Sequence, residues 1–220
     1  MRVALGIAVV VACGAAQAQS PSQNSPVMER LTRDNLKSML GTISVEAQPN
    51  FAGGQLDGCS IGFNVLAQDW AYKQGAYIKV SGAFGLMSAR QGGVVVVLEV
   101  IVHDIDARTM NATPSAPASA YFVSGDTTTQ NAVVGSYPPD IPGAIFVVSQ
   151  LEPTFSIIVH GLSADKVAIA FARNKGGTDV PVPIDTSVAD TAANGKRTHS
   201  AKAAMDFADC AKTLMQQTSK

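Results

Sequence analysis

The chain reads as a mainly β protein of the α+β class, an antiparallel β-sandwich or partly closed barrel of about eight strands. One helix precedes the strands, and a second follows them and is joined to the sheet by a disulfide. Three observations carry this reading. Short β-branched and aromatic runs, bounded by Gly, Pro, Asn and Asp, recur from Cys59 to Asp185. Helical periodicity is confined to two stretches, one beginning at Pro26 and one at Ala203. An export-type leader precedes Cys59 and Cys210, and an even cysteine pair in an oxidising compartment is most simply one disulfide.

The leader comprises Met1-Arg2, an apolar run from Val3 to Ala12, and the small-x-small site Ala16-Gln17-Ala18. This is the layout of a signal peptide over residues 1–18, cleaved after Ala18 and too short to span a bilayer. The rival is lipidation of Cys13, which follows Val10-Val11-Ala12 and would anchor the chain to a membrane. Cleavage is the favoured reading, which makes the protein periplasmic or secreted. Gln19 to Ser25 is polar and reads as a disordered lead-in, and residues 26–220 read as a single domain. The net charge of −1 gives no electrostatic support for nucleic acid or an anionic membrane as partner. No later apolar run suits a transmembrane helix.

Ser25-Pro26 resembles an N-cap followed by proline at the first helical position, and Gly41 ends an apolar stripe running through Leu31, Leu36 and Leu40. A helix is predicted from Pro26 to Leu40. Pro49 to Gly58 is rich in turn residues and is predicted as a loop. Strands are predicted from Cys59, where Cys59, Ile61, Phe63 and Val65 alternate with smaller residues, and at Tyr77–Phe84. Val94 to His103 is β-branched on both faces, which predicts a central strand covered on both sides. Further strands are predicted at Ala120–Val123, Ala144–Leu151, Phe155–Leu162, Val167–Arg173 and Asp179–Asp185. Asn174-Lys175-Gly176-Gly177 supplies a hairpin turn between the last two. Pro181 and Pro183 remove two N–H groups from the same side of their strand, which makes it a sheet edge. Ala189 to His199 reads as a linker. Ser200 caps a final helix whose apolar face holds Ala203, Phe207, Cys210, Ala211 and Leu214. A bond from Cys210 to Cys59 would therefore bolt that helix to the first main strand.

Catalytic signals are sparse. Gly161-Leu162-Ser163-Ala164-Asp165 lacks the closing glycine of a nucleophile elbow. His103, Asp104 and Asp106 stand where the longest strand runs out, with the histidine on one face and both carboxylates on the other. They are the candidates for acid/base or cation chemistry, although the spacing matches no metal motif and a polar strand end emerging into solvent is the favoured reading. Glu99 lies mid-strand among valines, about 13 Å from His103 by the strand rise, out of direct contact. Trp70, Tyr72 and Tyr137 are candidate binding aromatics on loops. No metal or cofactor is expected.

The layout of signal peptide, β domain, cysteines and C-terminal helix is similar to that of small secreted bacterial envelope proteins such as the invasion-associated locus B group, with no motif through which residues carry over. The function expected is that of an exported non-enzymatic protein binding another protein or a cell-envelope component. Two alternatives are a secreted hydrolase using His103 with Asp104 or Asp106, and a small-ligand-binding β-barrel.

Overall fold

Alternation of apolar and small residues along the chain resolves into antiparallel sheets stacked through their apolar faces. The computed structural model describes residues 26–89 and 92–218, so the leader, Cys13 and the lead-in lie outside the described residues. The elements in chain order are α1 (Pro26–Met39), β1 (Gly41–Ala52), β2 (Gln55–Asp69), β3 (Ala76–Ser88), β4 (Val94–Ile105), β5 (Ala112–Pro114), β6 (Ser119–Ser124) and β7 (Thr127–Thr128). There follow β8 (Val133–Tyr137), β9 (Ala144–Ser149), α2 (Leu151–Ser163), β10 (Lys166–Ala172), β11 (Asp179–Asp185), β12 (Val188–Thr191), β13 (Arg197–His199) and α3 (Lys202–Thr218).

The large sheet has seven strands in the order β1-β2-β3-β4-β9-β8, with β5 paired to the end of β4. A four-stranded sheet has the order β11-β10-β6-β7, and β12 and β13 form a hairpin of their own. Neither sheet closes on itself, so the architecture is a sandwich and not a barrel. Inward-facing Phe84 of the large sheet, with Phe63 beside it, meets Phe122 of the small one. The Phe84 and Phe122 rings stand edge to face at 5.8 Å, and Phe63 and Phe84 are tilted at 6.1 Å. Ile169, Phe171, Val182 and Ile184 complete the core from the small sheet.

α3 covers the remainder of the inner face, packing on β1, β2 and β3 through buried Phe207, Ala211 and Leu214. Its Cys210 is disulfide-bonded to Cys59 of β2 across a sequence separation of 151. The Ser200 hydroxyl accepts the Lys202 N–H at 3.1 Å, as the capping reading requires. β11, with Pro181 and Pro183, is indeed an edge strand.

Four expectations are corrected. Pro49–Gly58 is not a loop: β1 runs through Pro49 to Ala52 and turns sharply into β2 at Gly53-Gly54, whose φ values of 57° and 82° are open to glycine. Pro49 is tolerated because β1 is a sheet edge. Phe155–Leu162 is helical, not a strand. In α2 the buried positions are Thr154, Ile158 and Gly161, a helical period that the β-branched Ile157-Ile158-Val159 conceals. Pro153 sits in its first turn, where a missing N–H is harmless. Gly161 lets α2 approach β10, since an added Cβ would lie 2.8 Å from the Lys166 carbonyl oxygen. Ala189–His199 is the β12–β13 hairpin, not a linker. Finally, β4 is central, but Val95, Glu99 and Ile101 on its outer face stay partly exposed, so the two faces are not equally covered.

Candidate functional site

Sheet parity decides where the polar candidates go. On β4, Val96, Leu98, Val100, Val102 and Asp104 face inward, while Val97, Glu99, Ile101 and His103 face outward. Asp104 is thus carried toward the small sheet. There it meets Arg173, which follows β10 with the inward parity of Ile169 and Phe171. The Arg173 guanidinium donates to Asp104 Oδ1 at 2.6 Å, to Asp69 Oδ2 at 2.6 Å and to Ser115 Oγ at 2.6 Å. Lys73 Nζ lies 3.4 Å from Asp104 Oδ2. The Arg173 side chain is only 8% exposed and that of Asp69 is 0% exposed, with Asp69 Oδ1 taking the Tyr72 N–H at 2.8 Å. Burial alone would lower the Arg173 pKa, but the hydrogen bonds and charges of Asp69 and Asp104 outweigh it and hold the value above normal. This cluster is a clamp between two sheets, its acceptors occupied by structural donors.

The other two members of the trio lie elsewhere. His103 is paired in the ladder with Lys79 and Pro114, and its Nδ1 is buried with no hydrogen-bond partner among the described residues. Asp106 closes a turn, its Oδ1 accepting the N–H groups of Arg108 at 2.8 Å and Thr109 at 3.4 Å. The Arg108 backbone hydrogen bond is the leading reason that the Asp106 pKa is lowered. His103, Asp104 and Asp106 therefore do not converge. No grouping of three or more His, Cys, Asp or Glu suited to a metal ion occurs among the described residues. Glu99, flanked on its face by Ala83 and Phe146, has its pKa raised by desolvation.

A serine and histidine that the sequence did not bring together do meet. Ser187 Oγ donates to Asp185 Oδ1 at 2.6 Å and lies 2.8 Å from His199 Nδ1. The hydroxyl stands between carboxylate and imidazole, whereas a nucleophilic triad needs the imidazole in the middle. The arrangement pins the turn after β11 to β13. The binding aromatics divide similarly. Tyr72 is a structural tie, its hydroxyl donating to the Thr178 carbonyl at 2.6 Å. Trp70, 72% exposed, lies over Gly75, and Tyr137, 58% exposed, lies across Gly135 on the β8 edge.

A concave apolar surface lies between α2 and α3. Phe155, Val159 and Leu162 form one wall, and Ala204, Met205 and Ala208 of α3 lie opposite. The groove is an open trough of about 1030 Å³. Val159 is 44% exposed and Met205 is 59% exposed; the other exposed large apolar side chains among the described residues, Phe51, Trp70, Met110, Val134, Tyr137 and Ile141, lie outside the groove. Ser163 and Asp165 border it at the end of α2, and Lys212 and Gln216 border it on α3. The surface is not legible in the sequence because it requires two helices, and the β-branched content of Phe155–Leu162 predicts a strand in place of one of them. The available signal was the surplus of apolar residues in 202–218, where Ala204, Met205 and Ala208 widen the stripe beyond the face that meets the sheet.

Comparison with protein families, curated proteins and solved structures returned no match to this chain.

Proposed function

We propose that this chain is an exported, non-enzymatic binding protein that engages a protein or cell-envelope component through the groove between α2 and α3. The observation that carries the reading is the exposed apolar lining of that groove. Its volume, about 1030 Å³, is on the scale of ligand sites, and its two methionines, Met205 and Met215, are flexible enough to mould to an occupant. The acid/base candidates add support, because Asp104 and Asp106 are committed to a clamp and a turn. Export is supported by the leader of residues 1–18 and by the Cys59–Cys210 disulfide, which suits an oxidising compartment. No helix among the described residues is long and apolar enough to cross a membrane.

The test is a titration of the purified protein with N-phenyl-1-naphthylamine, whose fluorescence rises in apolar surroundings. Saturable binding is expected, reduced at least tenfold by Val159→Asp or Met205→Asp, with unchanged circular dichroism. Absent or non-saturable binding counts against the groove. In a secretion-competent bacterium the intact mass should correspond to a chain beginning at Gln19; retention of residues 1–18 in the exported fraction would contradict the leader reading.

A further inference from the structure

We infer that the groove seats an amphipathic α-helix of a protein partner, lying parallel to α3 with its N-terminus beside Asp165 and its C-terminus beside Lys212. The inference rests on the binding reading above and names the partner chemistry. Length is the first ground. The α3 side of the groove runs from Ala201 to Gln216, which at the helical rise is about 22 Å, the length of a helix of about 15 residues.

Shape is the second. Ala201, Ala204 and Ala208 recur at steps of three and four, so they share one face and form a narrow seam, with Met205 beside it and Met215, seven residues after Ala208, closing its far end. Such a seam admits another helix at close axial distance, and the exposed Val159 and half-buried Leu162 of α2 line its other side. An apolar stripe at i, i+3, i+4 and i+7 would be buried on both flanks.

Charge sets the direction and favours a helix over an acyl chain. The hydrogen bond from Thr186 N–H to the Asp165 carbonyl, 3.0 Å, and that from Ser200 N–H to the Ser187 carbonyl, 2.7 Å, place Asp165 at the N-terminal end of α3. Lys212 stands three turns further along α3. Neither Asp165 nor Lys212 is ion-paired among the described residues. A negative charge at one mouth and a positive charge near the other match the positive N-terminus and negative C-terminus of a helix. An acyl chain with one anionic head uses only the lysine and leaves the aspartate unmatched.

The experiment uses two stapled 15-residue leucine-striped peptides of equal helicity. One carries lysines in its first turn and glutamates in its last, and the other has these ends exchanged. Fluorescence anisotropy is measured against the disulfide-intact protein. The first peptide is expected to bind at least tenfold more tightly, and Asp165→Lys combined with Lys212→Glu is expected to reverse the preference. Lys212→Glu alone, at an exposed helical site, should narrow it. Equal affinities, or a preference indifferent to these substitutions, would overturn the inference. Retained naphthylamine binding displaced by dodecanoate but not by either peptide would also overturn it, assigning the groove to a small apolar ligand and leaving the binding reading intact. Loss of both kinds of binding would overturn both.

Discussion

Replacing Arg173 by methionine should be among the most damaging single changes available outside the apolar core. The substitution keeps most of the apolar stem and deletes the cation joining β10 to β2 and β4. Asp104 is 28% exposed and recovers water on losing its partner, so it contributes the smaller share. Asp69 is 0% exposed and retains only the Tyr72 N–H at 2.8 Å. Breaking a buried pair by removing one member costs about 3–5 kcal/mol, because the remaining charge stays desolvated. That is a large part of the roughly 5–15 kcal/mol that a whole domain has. Arg173→Lys should lose less, since one ammonium keeps the charge but cannot span both carboxylates and Ser115. The assay is urea unfolding followed by circular dichroism, with constant slope taken as the sign of a shared unfolded state. Combining Arg173→Met with Asp69→Asn should recover part of the loss, because the stranded charge is gone. A loss under about 1 kcal/mol for Arg173→Met, or a double variant at the sum of the singles, would refute the clamp.

Other expectations follow from the same geometry. Removing the disulfide by Cys59→Ala with Cys210→Ala opens a sequence separation of 151, and the chain-entropy relation sets the loss at about 5 kcal/mol as an upper figure; unfolding midpoints unchanged by the pair of substitutions would show that packing alone holds α3. Burial, then the hydrogen bond to Asp179, pushes the Tyr121 phenol up to about 12. The neutral phenol therefore favours the fold below the unfolded value near 10, and stability should fall as pH rises from about 10 to about 12, with Tyr121→Phe flattening that slope. Desolvation raises the Glu99 pKa, so the folded state prefers the protonated carboxyl and loses stability as pH rises through that pKa. Glu99→Gln should accordingly raise the thermal midpoint at pH 7 more than at pH 4; an equal effect at both would contradict the assignment.

Much of the framework is legible in the sequence because strand parity and helical stripes are local signals. The alternation from Cys59 and the proline pair at Pro181 and Pro183 each translate directly into a strand and an edge. The same parity, followed to the strand ends, would have marked the clamp: Asp69 continues the inward set of Ile61, Phe63 and Val65, and Arg173 continues that of Ile169 and Phe171. No local pattern marks Asp69 and Arg173 as partners, because they lie far apart in sequence and only sheet stacking brings them together. The stretch Ile157-Ile158-Val159 was misleading for a different reason, since its β-branched content favours strands while tertiary packing on β10 and β6 holds a helix there. With a strand predicted at Phe155–Leu162, the widened apolar stripe of α3 has no second helix to form a groove with. Glycines at 53 and 54 were visible as turn residues, but they close a hairpin and do not mark a long loop.

The claim that α2 and α3 form the binding surface is tested most directly by methyl-resolved NMR of the disulfide-intact protein during titration with the lysine-first stapled helix. The account predicts shifts concentrated at the methyls of Val159, Leu162, Ala204, Met205 and Ala208, saturating together with the anisotropy signal. Shifts gathered instead on residues around Trp70 or Tyr137, with the groove methyls unmoved at saturation, would contradict it.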